Sequence, residues 1–356
     1  MSGSQELQWK GYAIHDTQKW NEFKVIDFKP KPAGEYDIDI KVEFCGVCGS
    51  DVHTITGGWG APNLPLIVGH EIVGTVVRVG PKVEGFKVGD RAGVGAQICS
   101  CLKCSRCDND DEQYCEEPIH TYNSFYPECG TLSQGGYATA IRAHERFVFP
   151  IPDALKLEDA APMLCAGLTM YSPLVRGGAG PGKRVGIIGL GGLGHFGVMF
   201  AKALGCEEVV VFSHSNRKQD DAMKMGATKF VVTSEPGYDE ALRGSLDLII
   251  STVDSAAAVD WETIVPLLKV HGRFIMVGIP DEELPAFNAT VFLGNGALFG
   301  GSHVGSKKEA TEMLKLAAEK QIKPWIEVLP MKEANRAVMN VKEGKVKYRH
   351  VLKVDI

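Results

Sequence analysis

The chain has no uninterrupted apolar run of the length a membrane helix needs, which excludes a membrane-spanning protein of that kind. Its start, Met1 to Lys10, is polar and lacks the apolar stretch of a secretory leader, so export is not expected. Charge of one sign is not in large excess: 38 Lys and Arg against 44 Asp and Glu leave a net charge of −6, both signs dispersed. Nucleic acid is therefore not an expected partner, because phosphates call for a concentrated basic face. Internal repeats and low-complexity segments are absent as well.

What is present fits a globular protein: 356 residues, 44% hydrophobic and 23% charged, too long for one ordinary core and so expected to form two domains. Ten cysteines would suggest disulfides in a small secreted chain. In a long chain without a leader, metal binding in a reducing compartment, the cytosol, is the better reading.

Four of the ten, Cys101, Cys104, Cys107 and Cys115, follow the spacing C-x2-C-x2-C-x7-C. Four thiolates with no open position suit a closed structural zinc. A ferredoxin run also opens with C-x2-C-x2-C, but it continues to a fourth cysteine after three residues and then a proline. Here the gap is seven and Glu116 follows, so zinc is preferred over an iron–sulfur cluster. Cys48, in Gly-Val-Cys48-Gly-Ser50-Asp-Val-His53, and His70, in Gly69-His70-Glu71, point to a second metal site of a different kind. One Cys, one His and a further Cys would leave a fourth position free for substrate.

The first 150 residues carry short strand signals punctuated by glycine, as in Ile38 to Phe44, Glu71 to Gly80 and Arg91 to Gly95, and read as a β-barrel-like domain. Pro150 and Pro152 stiffen the chain after it. From about Leu157 strands alternate with helices, with strand cores at 185–188, 209–212, 230–232, 246–250 and 274–277. That alternation predicts an α/β fold, a doubly wound parallel sheet. A strand at Ala297 to Phe299, helices near 307–320 and 331–343 and a closing strand at Tyr348 to Val354 follow. The expected division is a catalytic domain over 1–156 with the four-cysteine loop, a dinucleotide-binding domain over 157–295, and a return to the first domain over 296–356.

Val185 to Gly194 reads strand, glycine turn, helix, with Gly189, Leu190, Gly191, Gly192, Leu193 and Gly194 forming G-x-G-x-x-G. That context is what a dinucleotide pyrophosphate requires: a tight turn, close backbone approach and amides at a helix start. The next strand ends in Ser213, His214, Ser215, Asn216, Arg217 and Lys218. An NAD site would place a carboxylate there, whereas Glu207 and Glu208 stand at the opposite end of the strand. Hydroxyls and two cations suit the 2′-phosphate of NADP(H), the preferred reading over the bland alternative that Arg217 and Lys218 only decorate the solvent face of a helix.

Taken together, Cys45-Gly-Val-Cys48, Gly69-His70-Glu71, the four-cysteine loop, Ser133-Gln-Gly-Gly-Tyr-Ala, Cys165-Ala-Gly-Leu-Thr169, the glycine turn and Met223-Lys-Met-Gly-Ala make the chain resemble the zinc-dependent medium-chain dehydrogenase/reductase superfamily. The resemblance runs over essentially the whole chain. It is to the cinnamyl alcohol dehydrogenase group, close to the NADP-dependent members of broad specificity from yeast. It implies a GroES-like barrel, a Rossmann domain, an active cleft between them and a homodimer joined through the Rossmann sheets. It implies two Zn2+ per chain, with the catalytic ion on Cys48, His70 and Cys165. Cys45 is a tempting alternative that the family pattern passes over, and Glu71 is similar to an acidic neighbour that swings onto the zinc.

The resemblance further implies a proton relay from Ser50, which would touch the cofactor, through the ribose hydroxyl to His53. Imidazole in general is suited to that last step by an ordinary pKa near ~6.5. Thr169, Gly278, Ser302, His303 and Val304 resemble positions holding the nicotinamide half, Thr252 a position that touches the cofactor, and Trp59 an aromatic of the substrate pocket. His214 departs from the family, where arginine is common, and softens the NADP preference. The reaction so implied interconverts alcohols and aldehydes, mainly reducing cinnamyl, benzyl and medium-chain aliphatic aldehydes, with small molecules as the substrate partners. The competing readings are an NAD-dependent polyol dehydrogenase and a catalytically silent protein on the same fold. Cys99, Cys129 and Cys206, like Cys45, are left without an assigned role.

Overall fold

The computed structural model describes residues 7–256, 260–280 and 282–356; residues 1–6 of the polar start lie outside that set. The chain divides into two units, Met1–Cys165 with Ser306–Ile356, and Ala166–Gly305. The divisions fall later than the 156/157 and 295/296 boundaries read from the sequence, for identifiable reasons. Residues 157–164 pack on the strands of the first unit, and the strand Leu298–Gly301 completes the sheet of the second.

The first unit is built on a seven-stranded, mostly antiparallel sheet. Its central strand, Asp37–Gly46, pairs with Ile72–Val79, with Ala140–His144 and with the closing strand Arg349–Lys353, while Arg91–Val94 and Val148–Pro150 extend the far edge. The period-two alternation explains the central strand. Ile38, Ile40 and Val42 enter the core with Ile72, Val76 and Ile141. Asp39, on the opposite side, is also buried and is taken up by Arg142 at 2.6 Å and Arg78 at 2.7 Å. The return segment supplies the parallel pair Ile326–Pro330 and Arg349–Lys353 and the helix Lys307–Glu319. That helix is docked by Glu112, which accepts from the Lys307 backbone N–H at 2.6 Å.

The second unit is a six-stranded parallel sheet. Its spatial order is Lys229–Val232, Glu208–Ser213, Arg184–Ile188, Leu246–Ser251, Leu268–Met276, Leu298–Gly301. Numbered within the unit this is 3-2-1-4-5-6, the doubly wound Rossmann order, in which ligands bind where the order reverses, at the carboxyl ends of the first and fourth strands. Gly189 and Thr252 stand at those two ends.

Candidate active site and metal centres

The metal cluster of the first unit is assembled by tight backbone passages. The central strand ends at Gly46, where a Cβ would lie 1.9 Å from Glu71 Oε2, so a larger residue would displace that carboxylate. Two residues on, Cys48 leads the helix Gly49–Thr56, and the Asp51 carboxylate reaches back to the Cys48 N–H at 2.9 Å. Gly69, at φ +103°, passes so close to Tyr137 and Cys45 Sγ that a Cβ would stand 2.5 and 2.8 Å from them. Its conformation delivers His70 and Glu71 to the same place. Cys165 arrives from the 3-10 turn Ala161–Leu164.

The outcome is a buried group in which the donor atoms of Cys48, His70, Glu71 and Cys165 all lie within 4.8 Å of one another, with His70 Nε2 3.1 Å from Cys165 Sγ. Cys45 is not part of it. It belongs to the strand, paired opposite Ile72 and Leu352, and burial pushes its thiol well above the ordinary range. Burial opposes charge on His70, yet the Asp51 carboxylate and Cys48 outweigh it and hold the imidazole well above its usual pKa. The Cys48 thiol is pulled far down, first by Cys165 and then, against burial, by His70. Burial raises Glu71 to about 8 even though Arg349 Nη2 bonds its Oε1. Among the described residues, Glu71 Oε2 has no hydrogen-bond partner. Two soft sulfurs, an imidazole nitrogen aimed at one of them and an orphaned buried oxygen are a donor set that fits zinc.

The sequence reading missed what holds these donors. Asp51 is fully buried and also meets the Gly69 N–H at 3.2 Å, Tyr137 Oη at 3.2 Å and His70 Nδ1 at 3.2 Å, while Tyr122 Oη stands 3.2 Å from the same ring nitrogen. A carboxylate three residues after Cys48, at a helix start, was the available signal for Asp51. Arg349 carried none.

The second cluster also fits. Four sulfurs arranged tetrahedrally about 2.3 Å from a zinc stand about 3.8 Å apart. Cys104 Sγ lies 3.6 Å from Cys107 and 3.9 Å from Cys115, and Cys101 lies 4.0 Å from Cys107. The Cys107 backbone N–H lowers Cys104 to about 7, so its thiolate is accessible at neutral pH. Cys99 stays outside the group, and burial pushes it up to about 11.

Of the residues read as a relay, Ser50 Oγ lies 3.7 Å from Cys48 Sγ, and His53 stands on the same helix one turn further on. Trp59, read as a pocket wall, lies against His53, ring on ring.

In the Rossmann unit Gly189 takes φ +89°, a Cβ on Gly194 would fall 1.9 Å from Gly189 O, and a Cβ on Gly191 would meet nothing within 4 Å. The first two make the turn, and the third leaves room for a pyrophosphate, so the loop fits a dinucleotide. Leu190 and Leu193 flank Gly191 and Gly192 before the helix Gly194–Ala203. Thr252 Oγ1 donates to Ile188 O at 2.9 Å, bracing the turn, and Gly278 lies against Val253 O, where a Cβ would come to 2.0 Å. Thr169 is buried in the helix Ala166–Arg176. Ser302 Oγ is buried and has no hydrogen-bond partner among the described residues; beside it follow His303 and Val304, the latter at φ +48°. Ser213 ends its strand, and His214, Asn216 and Arg217 are exposed. Arg217 Nε contacts Ser215 Oγ at 3.3 Å, and Lys218 Nζ reaches back to Leu190 O at 2.7 Å.

Two clusters fit for zinc and an open glycine turn on a doubly wound sheet define the class: a metal- and nucleotide-dependent oxidoreductase. Family comparisons sharpen it. The alcohol dehydrogenase GroES-like domain matches residues 34–153 and the zinc-binding dehydrogenase domain residues 192–319. The NADP-dependent alcohol dehydrogenase 6 of Saccharomyces cerevisiae is 46% identical over 97% of this chain and 96% of its own. A cinnamyl alcohol dehydrogenase structure from Sorghum bicolor superposes with a TM-score of 0.91 at 36% identity, covering 97% of each chain. The Helicobacter pylori cinnamyl alcohol dehydrogenase in complex with NADP(H) gives 0.88 at 34%, covering 98% of each chain. The chain belongs to the zinc-dependent medium-chain alcohol dehydrogenases, in the cinnamyl alcohol dehydrogenase group.

Proposed function

We propose that the protein is an NADP(H)-dependent enzyme holding two zinc ions per chain, and that it acts mainly by reducing cinnamyl, benzyl and medium-chain aliphatic aldehydes. The observation that carries the reading is the buried convergence of Cys48, His70, Cys165 and Glu71. When bound there, zinc supplies Lewis-acid polarisation of the substrate oxygen, and the nicotinamide supplies the hydride.

The chain's own residues do the rest. Asp51 fixes the tautomer of His70, leaving Nε2 free as a ligand. Arg349 compensates Glu71 inside the protein. Ser50 and His53 move the proton, toward the substrate in reduction and toward solvent in oxidation, help of a kind worth about 10²–10⁴-fold. Cys101, Cys104, Cys107 and Cys115 hold the structural ion. Gly189 to Gly194 seat the pyrophosphate, and Ser213 to Lys218 receive the 2′-phosphate. Thr169, Thr252, Gly278 and Ser302 to Val304 line the nicotinamide half.

A second copy of the chain is the proposed partner. Leu298–Gly301 is an edge strand, and Leu298, Phe299, Val270 and Leu293 are exposed apolar side chains of the same unit, the last two 70% and 78% exposed. None of the ten cysteines, all among the described residues, is held in a disulfide, which is in keeping with a reducing compartment, the cytosol.

An NAD-dependent polyol dehydrogenase is the competing reading, and one contact favours it: the Lys218 ammonium is engaged by Leu190 O. The test is the initial rate of NADPH oxidation with cinnamaldehyde, measured beside NADH. Fast turnover with NADPH alone supports the proposal; comparable rates with NADH overturn the cofactor assignment. Activity with neither, on protein holding zinc, returns the silent reading.

A further inference from the structure

Trp59 and His53 lie ring on ring, with centroids 4.8 Å apart and planes inclined by only 2°. The contact is local. The helix Gly49–Thr56 closes on Gly57, at φ +76°, whose N–H bonds Thr54 O. Gly58 then bonds back to His53 O at 2.8 Å, so the chain doubles over the end of the helix and lays the indole on the imidazole. A Cβ at Gly58 would only touch His53 Nδ1, at 3.4 Å. Gly57, in the left-handed region, is thus what turns the chain so that Trp59 reaches the ring.

We propose that Trp59 is a positioning residue for proton exit: its indole holds the His53 ring in the orientation that receives the proton from Ser50 and favours the charged form while it is held. This rests on the relay reading and assigns to Trp59 a role other than that of a substrate wall. A cation over an indole face is favoured by the ring quadrupole, and the geometry here is a parallel stack. Among the described residues, the elements most extensively packed on the helix are the turn Thr17–Lys19 and the helix Ala334–Lys342. Of their cations, Lys19 pairs with Glu22, Arg336 with Glu333 and Glu327, and Lys342 sits over Trp20. Asp51, on the helix itself, is spent on His70, Tyr137 and backbone amides.

The experiment has a spectroscopic arm and a kinetic arm, both on the zinc-loaded enzyme. An imidazolium touching an indole quenches its fluorescence more than the neutral ring does. The emission difference between wild type and Trp59→Phe is therefore expected to follow a single sigmoid as pH is varied. The same difference taken in a His53→Gln background is expected to be flat. In alcohol oxidation His53 must be neutral to accept the proton. Loss of the stack in Trp59→Leu is therefore expected to move the acid limb of the kcat profile down by about half a pH unit, with Trp59→Phe in between.

An absent titration overturns the contact while leaving the relay standing. A titration with an unmoved limb, and only a raised KM for bulky aldehydes, overturns the positioning role in favour of a substrate wall. An unchanged profile in His53→Gln, with the titration present in wild type, overturns the relay reading and this proposal with it.

Discussion

Replacing Asp51 by asparagine isolates what holds the proposed zinc ligands in place. The carboxylate is fully buried, and its two oxygens are divided cleanly. Oδ2 takes the Cys48 N–H at 2.9 Å and Tyr137 Oη at 3.2 Å, while Oδ1 takes the Gly69 N–H and His70 Nδ1, each at 3.2 Å. An amide of the same shape must turn its NH2 toward one pair or the other. Facing the first pair, it opposes the Cys48 N–H, whose residue is itself a ligand. Facing the second, it opposes the Gly69 N–H and invites His70 to accept at Nδ1, which puts the ring proton on Nε2, the atom beside Cys165. Either way one buried N–H is stranded, at a cost of about 1–3 kcal/mol. That corresponds to about 5- to 150-fold, the same range as the roughly 10–100-fold loss of metal affinity seen when a group behind a histidine ligand is removed. Zinc release to a chromogenic chelator should be biphasic, with the phase belonging to Cys48, His70 and Cys165 accelerated and the four-cysteine phase unchanged. An unaltered release curve for Asp51→Asn would refute the reasoning.

Ser50→Ala should keep both zincs while losing about 10²–10⁴-fold in turnover; metal analysis with steady-state rates checks both halves. Cys107→Ser should remove one zinc per chain and lower the unfolding midpoint, read by elemental analysis and thermal denaturation. Asp39 is opposed by burial, but hydrogen bonds from Arg142 and Arg78 win and hold it below its usual value. Its stabilisation is therefore complete above the unfolded pKa, near ~3.9, and lost as pH falls through the lower folded value. Asp39→Asn should cost about 3 kcal/mol at pH 7 and progressively less in acid, measured by urea midpoints across pH. Lys218→Met should raise KM for NADPH about tenfold or more with a smaller effect on NADH, since a lost hydrogen bond to a charged group is worth about 1.5–3 kcal/mol; equal effects would mean that the lysine only braces Leu190.

The parts of the fold visible in the sequence are those written as local periodicity. Alternation placed Ile38, Ile40 and Val42 on the core side of one strand, and the strand–glycine–helix pattern located the turn at Gly189 within its parallel sheet. Even there, Arg217 and Lys218 were read into the following helix, whereas they form a 3-10 turn that precedes Gln219–Met225. Both groups of candidate metal donors that the structure gathers were open to reading, Cys101, Cys104, Cys107 and Cys115 from their spacing and Cys48, His70 and Cys165 from the family resemblance. The surroundings of those donors were not legible. Arg349 meets Glu71 from 278 residues away, through a strand pairing that no local pattern encodes. Tyr137 reaches Asp51 from 86 residues away. Cys45 and Cys48 are told apart by where the strand ends, at Gly46, a boundary decided by the packing of Glu71. Domain boundaries shifted for a related reason: residues 157–164 look helical but pack on the strands of the first unit.

The central claim is that one of two zincs, held by Cys48, His70 and Cys165, is needed for aldehyde reduction. The most direct test measures zinc per chain and NADPH-dependent cinnamaldehyde reduction together in wild type and Cys48→Ala. Two zincs with activity in the first, against one zinc, an intact fold and no activity in the second, is the predicted result. Undiminished reduction by a Cys48→Ala protein that has lost that zinc would contradict it.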